Sequence, residues 1–112
     1  MILSKWWLPV SLLLLMIITA GSLLPVPAGP PGSDKLMHLV SYGVLMFPAA
    51  YAANKYPWVF AIFFFLWSGG IEIIQPYFNR YGEWRDLLAN ALGLIVGFLL
   101  GQLAKHKLTI NL

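Results

Sequence analysis

The chain contains no cysteine and very few charged residues. Without cysteine it can form neither a disulfide nor a thiolate metal site, and it has no cysteine nucleophile. Charged residues make up 10% of the 112 residues, whereas 60% are hydrophobic, and the mean hydropathy is +0.78. A soluble globule of this size needs more polar surface than these residues supply. We therefore expect lipid to surround this chain.

The sequence also lacks the signatures of several functional classes. It has no glycine-rich phosphate loop and no Cys/His metal motif, so no cofactor is predicted. The formal net charge of +3 is small and concentrated at one predicted membrane surface. It therefore indicates membrane orientation, and we expect no nucleic-acid partner.

Four apolar segments are present, at residues 6–24, 36–53, 58–75 and 87–104. Each would cover roughly 27 Å as a helix, about the thickness of a bilayer core. In lipid the backbone must satisfy its own hydrogen bonds, and four segments are too few for a β-barrel. Because the connections are short, the sequence predicts an all-α membrane protein, a compact antiparallel bundle of four transmembrane helices in one domain over residues 1–112.

The first segment can also be interpreted as a signal peptide. It follows Lys5, and cleavage could occur near Ala20 or Ala28. However, its apolar run is longer than a usual signal-peptide core, and no clear small-x-small site follows. We expect it to remain as a membrane helix.

Charges in alternate connections separate the two ends of the predicted bundle. One end carries only basic residues, and the other mixes bases with carboxylates. By the positive-inside rule, both termini lie in the cytoplasm of a bacterial inner membrane and the mixed end faces outward. The basic end holds Lys5, Lys55, Lys105 and Lys107, and the mixed end holds Lys35, Arg80, Arg85, Asp34, Glu72, Glu83 and Asp86.

The candidate site is a set of polar residues predicted at the outward end. Helical spacings of three, four and eight residues place them on one stripe of each helix, and antiparallel packing would bring the stripes to similar depth. The candidate ligand-binding residues are Asp34, Lys35, His38, Tyr42, Glu72, Gln75, Arg80, Asp86 and Asn90.

Glu72 is the most informative of these residues because it lies inside an apolar segment. An isolated carboxylate in a membrane helix costs on the order of 3 kcal/mol, so it should have a partner or be protonated. Arg80, His38 and Lys35 are the candidate partners. Each candidate taken alone also has a structural interpretation in place of a binding role. The aspartates could cap helices, the histidine and the tyrosine could lie at the membrane interface, and the arginine could anchor to headgroups.

Helix 4 also contains two overlapping G-x-x-x-G units. Small residues at this spacing allow a neighbouring helix to approach closely. The neighbour could be internal or a second protomer, so a homo-oligomer is a further expectation. The residues are Gly93, Gly97 and Gly101.

The spacing of the polar residues resembles the VanZ-like family of bacterial membrane proteins. The resemblance extends from about Ser33 to Gly101 and depends on two blocks together. It implies a cell-envelope protein, and the family's namesake is associated with resistance to the glycopeptide antibiotic teicoplanin. The resemblance does not imply an established reaction. The two blocks are Asp34-Lys35-x-x-His38-x-x-x-Tyr42 and Glu72-x-x-Gln75 followed by Arg80, Asp86 and Asn90.

Four functions are compatible with these residues. The first is binding of an anionic lipid, an isoprenoid phosphate or a lipophilic glycopeptide, with Arg80 and Lys35 contacting the anion. The second is an enzyme acting on a lipid-linked substrate, with His38 and Glu72 as acid and base or as ligands of a divalent metal ion together with Asp34 and Asp86. The third is a small transporter or flippase, although polar residues near the midplane are scarce. The fourth is a structural assembly partner.

Overall fold

The structure, a computed structural model, describes residues 2–24, 33–53, 55–78 and 84–111. Within these ranges the chain forms four α-helices and no strand, and a short 3₁₀ helix follows the third. The predicted all-α bundle of four helices is therefore confirmed. The helices are α1 (Ile2–Leu23), α2 (Ser33–Ala52), α3 (Pro57–Ile74) and α4 (Trp84–Asn111), and the 3₁₀ helix is Gln75–Phe78.

Each helix begins before the apolar segment that predicted it, and α4 also ends beyond it. Helix α4 begins at Trp84 and continues to Asn111, whereas the apolar segment covers 87–104. Hydropathy marks the part of a helix that lipid can surround, but backbone hydrogen bonding continues beyond it into polar surroundings. The predicted connection after residue 75 likewise begins with a helical turn, because Pro76 lies inside the 3₁₀ helix.

Three helices are long and apolar enough to cross a membrane, namely Lys5–Leu23, Pro57–Tyr77 and Trp84–Leu108. Helix α2 is of similar length but less apolar, because its first turns carry charged residues and His38. A helix enclosed by protein can hold polar groups that direct contact with lipid would penalise. That a fourth membrane helix covers 36–53 stays a prediction. The buried residues of α2 support its central place: Tyr42, Leu45, Met46, Ala49 and Ala50.

Helices α1 and α3 run parallel to each other. Near one end the rings of Trp7 and Phe60 meet edge to face, with centroids 4.9 Å apart. Near the other end, Trp67 Nε1 donates to Thr19 Oγ1 at 2.9 Å. Residue numbers therefore rise in the same direction along both helices, as expected when each is joined to the next by a short connection.

Helices α2 and α4 are also parallel, and their backbones are in direct contact. A Cβ atom added to Gly93 would overlap the carbonyl oxygen of Leu39, and one added to Gly97 would overlap that of Gly43. Backbone atoms cannot rotate away as a side chain can. Of the two predicted neighbours of this glycine stripe, the structure shows the internal one. A homo-oligomer stays a prediction and would use a different face from this buried stripe.

The close contact predicts that an added methyl group at Gly97 will destabilise the bundle. We expect Gly97→Ala to lower the free energy of unfolding by about 1–3 kcal/mol, as overpacking does in other cores. Gly70→Ala in α3 is the matched control, because a Cβ there meets nothing within 4 Å. It should leave stability unchanged or raise it by up to about 1 kcal/mol through helix propensity. Denaturant unfolding in detergent micelles measures both, and equal effects would contradict the contact.

Candidate functional site

The candidate site lies at the end of the bundle where α2 and α4 begin and α3 finishes. Asp34, Lys35 and His38 belong to the first two turns of α2, and Asp86 and Asn90 to those of α4. The last turn of α3 contributes Glu72. Because the glycine contact holds α2 and α4 side by side, their first turns meet at the same depth. We refer to these six residues as the polar cluster.

Lys35 connects the two helices through an ion pair. Its Nζ lies 2.6 Å from Asp86 Oδ1 and 2.7 Å from Asp34 Oδ2. The Asp86 side chain is 7% exposed, whereas that of Asp34 is 59% exposed. The hydrogen bond from Lys35 lowers the pKa of Asp34. Lys35 therefore places its positive charge beside one buried carboxylate, Asp86, and one exposed carboxylate, Asp34.

His38 is oriented by Asn90. Its Nδ1 lies 2.8 Å from Asn90 Oδ1, so with this amide oxygen as acceptor the ring carries its proton on Nδ1. The other ring nitrogen, Nε2, lies 3.7 Å from Asp86 Oδ2 and presents a lone pair when the ring is neutral. The side chain of His38 is only 14% exposed. The histidine is thus fixed on one side and directed at a carboxylate on the other.

Glu72 completes the cluster from α3. One side-chain atom each from Glu72, His38 and Asp86 lies within 4.8 Å of the others. Of the three partners that the sequence suggested for Glu72, His38 is therefore beside it. Arg80 lies outside the described residues.

Two further candidates have contacts of other kinds. Tyr42 is 1% exposed and belongs to the hydrophobic core, and it is close enough to the Glu72 carboxylate to interact with its charge. Gln75 donates from Nε2 to the carbonyl oxygen of Ser22 at 2.9 Å, which ties the end of α3 to α1. Its Oε1 is buried and has no hydrogen-bond partner in the described part of the chain. Gln75 therefore has a structural contact that the sequence did not suggest.

Contacts to backbone carbonyls were not visible in the sequence. The Ser22 carbonyl is one example, and another is the Ala50 carbonyl, which accepts from Gln102 Nε2 at 2.8 Å. Every residue carries such an acceptor, so no residue type or spacing indicates which one a helix neighbour will reach.

An apolar groove runs down the bundle from the level of the polar cluster. It encloses about 560 Å³ between α1, α2 and α4. On α2 its wall includes Leu39, Gly43 and Phe47, which follow Lys35 at intervals of four residues. Residues at this spacing share one stripe of a helix. On α2 the wall of the groove therefore begins one helical turn beyond Lys35.

The contacts of Lys35 predict that its removal will destabilise the bundle. Lys35→Met would leave the buried Asp86 without its cation, so we expect the free energy of unfolding to fall by about 1–3 kcal/mol, less than for a fully buried pair. Asp34→Asn breaks only the exposed pair and should cost about 0–1 kcal/mol. Unfolding in micelles compares the two variants. A larger loss for Asp34→Asn would contradict this division.

Comparison with known proteins assigns the chain to a family. A family model described as VanZ/LLP1 matches residues 4–105, a range that contains the whole polar cluster. No curated protein and no solved structure gives a significant match. Since the family model covers most of the chain and three helices have the length and composition of membrane spans, this chain is a membrane protein that belongs to the VanZ/LLP1 family.

Proposed function

We propose that this protein binds an anionic amphiphile of the bacterial cell envelope at the polar cluster. The ligand would be a lipid, an isoprenoid phosphate or a lipophilic glycopeptide. The observation that carries the proposal is the position of the groove below Lys35 on the same stripe of α2. An amphiphile has a charged headgroup followed by an apolar chain. A site that binds it needs a cation followed by an apolar surface, as found here.

The charge distribution supports an outward-facing site. The end opposite the polar cluster carries Lys5, Lys55, Lys105 and Lys107 without an acidic residue. The positive-inside rule places that end, and both termini, in the cytoplasm. The polar cluster then faces the outer side of the inner membrane, where envelope precursors and glycopeptides are met.

Lys35 can accept a headgroup without losing its buried partner. Its bond to Asp34 is exposed, and exposed ion pairs contribute only about 0–1 kcal/mol. A phosphate or carboxylate group could therefore take the place of Asp34, while Asp86 continues to hold the ammonium group from the buried side. Arg80, from the segment outside the described residues, is proposed as a second anion contact because its planar fork suits phosphate.

A role in glycopeptide resistance is a narrower form of the same proposal. A lipophilic glycopeptide such as teicoplanin combines an apolar chain with ionised groups, which match the groove and the cluster in the same order. Binding alone could lower the amount of drug that reaches its target, so no catalysis is required.

Native mass spectrometry of the protein purified from membranes tests the proposal. We expect wild type to retain an anionic amphiphile, and Lys35→Ala to retain at least about tenfold less, because the cation one turn before the groove on α2 is gone. Val44→Trp fills the groove without changing a charge and should also reduce retention. Lys55→Ala at the opposite end is the matched control and should behave as wild type.

Equal retention by Lys35→Ala and Lys55→Ala would contradict headgroup binding at the cluster. Equal retention by Val44→Trp and wild type would show that the apolar chain does not occupy the groove.

Catalysis is a second candidate function, favoured by the convergence of His38, Glu72 and Asp86. His38 is held on one side by Asn90, so its other nitrogen could exchange a proton with a substrate. The same mass spectra distinguish the two functions. A catalyst would be accompanied by a ligand of altered headgroup mass in wild type, and His38→Ala would retain the unaltered ligand.

A further inference from the structure

Three side chains of the polar cluster converge in the way that ligands of one metal ion do. His38, Glu72 and Asp86 come from three different helices, yet one potential ligand atom of each lies within 4.8 Å of the others. The 3.7 Å between His38 Nε2 and Asp86 Oδ2 is too long for a good hydrogen bond. It is close to the roughly 3.3 Å that separates two ligands of a tetrahedral Zn²⁺ with bonds of about 2.0 Å.

The orientation of His38 is the one that a metal ligand needs. Histidine ligands usually donate their second ring N–H to an oxygen acceptor, which fixes the ring and its tautomer. In this structure Nδ1 has that contact, at 2.8 Å from Asn90 Oδ1. In the neutral ring, Nε2, which lies 3.7 Å from Asp86 Oδ2, is then the nitrogen with a lone pair.

The two carboxylate oxygens of Asp86 have different neighbours. Lys35 binds Oδ1, whereas Oδ2 is the oxygen directed at His38. The lysine therefore leaves the Asp86 oxygen nearer His38 to a second cation. A carboxylate that is hydrogen-bonded through one oxygen and ligates through the other is common at protein metal sites.

We propose that His38, Glu72 and Asp86 bind a divalent transition-metal ion of the zinc type. An imidazole with two carboxylates suits Zn²⁺ or Mn²⁺ better than Ca²⁺ or Mg²⁺, which prefer oxygen ligands alone. With three protein ligands, such an ion keeps a position open. This inference rests on the proposed function, since a phosphate or carboxylate of the bound amphiphile would take that position beside Lys35.

Isothermal titration with ZnCl₂ tests the site on the full-length protein in detergent after treatment with a chelator. We expect one saturable Zn²⁺ per chain. His38→Ala and Glu72→Gln should each weaken binding by about tenfold or more, because each removes one ligand of three. Glu72→Gln preserves the shape of the side chain, so it keeps the test decisive if His38→Ala does not fold.

The sequence provides a matched control for this titration. It contains no cysteine and two histidines, His38 and the exposed His106 in the basic end of α4. His106→Ala should bind Zn²⁺ as wild type does. Absence of saturable binding by wild type, or binding by His38→Ala and Glu72→Gln equal to that of wild type, would overturn the metal site. Loss of binding only in His106→Ala would assign the ion to a surface histidine and also overturn it.

The titration is independent of the lipid measurement, so the two proposals can fail separately. If Zn²⁺ binds as expected but no amphiphile is retained, the metal site stands and the proposed function falls. If an amphiphile is retained through Lys35 but Zn²⁺ does not bind, the proposed function stands without the metal. If both hold, adding Zn²⁺ to the chelated protein should increase retention of the amphiphile in wild type and not in Glu72→Gln.

Discussion

The contact between the backbones of α2 and α4 is the constraint on which the rest of the structure depends. Gly93 and Gly97 bring α4 so close to α2 that a single Cβ would meet carbonyl oxygens of the other helix. Because the helices are parallel and in contact, their first turns lie at one depth. This places Asn90 within hydrogen-bond distance of His38 and Asp86 within reach of Lys35. The polar cluster is thus a consequence of helix packing.

The same contact explains how α2 can carry charged residues and His38 in its first turns. Its polar first turns face α4 and Glu72 of α3, and its middle is buried by core residues such as Leu15 and Phe64. His38, Asp86 and Asn90, which lipid would penalise, are thereby kept within the protein. The groove beside this contact leaves an apolar surface open below Lys35. The packing of α2 against α4 therefore produces both parts of the proposed amphiphile site. The charged part lies at the end of the bundle, and the apolar part lies along its length.

Much of this architecture is predictable from the sequence, since hydropathy marks membrane segments and the spacing of polar residues follows the helical period. The grouping of His38, Glu72 and Asp86 follows from that logic. The pairing within the group does not. The sequence left Arg80, His38 and Lys35 open as partners of Glu72, and the structure shows Lys35 in an ion pair with Asp86. Which side chains pair depends on how each helix is rotated and how closely two helices approach. The glycine stripe of α4 determines both, but only once the helix packed against it is known. The helix ends were missed because polar residues continue a helix without adding to hydropathy.

Nitrogen-15 NMR of the histidine rings, in protein embedded in bilayers, tests most directly that this contact assembles the cluster. The chain has two histidines, and the exposed His106 is an internal reference. We expect His38 to carry its proton on Nδ1, in contact with the Asn90 side chain, and Nε2 to be unprotonated. A His38 signal that matches that of solvent-exposed His106, or a proton on Nε2 without contact to Asn90, would contradict it.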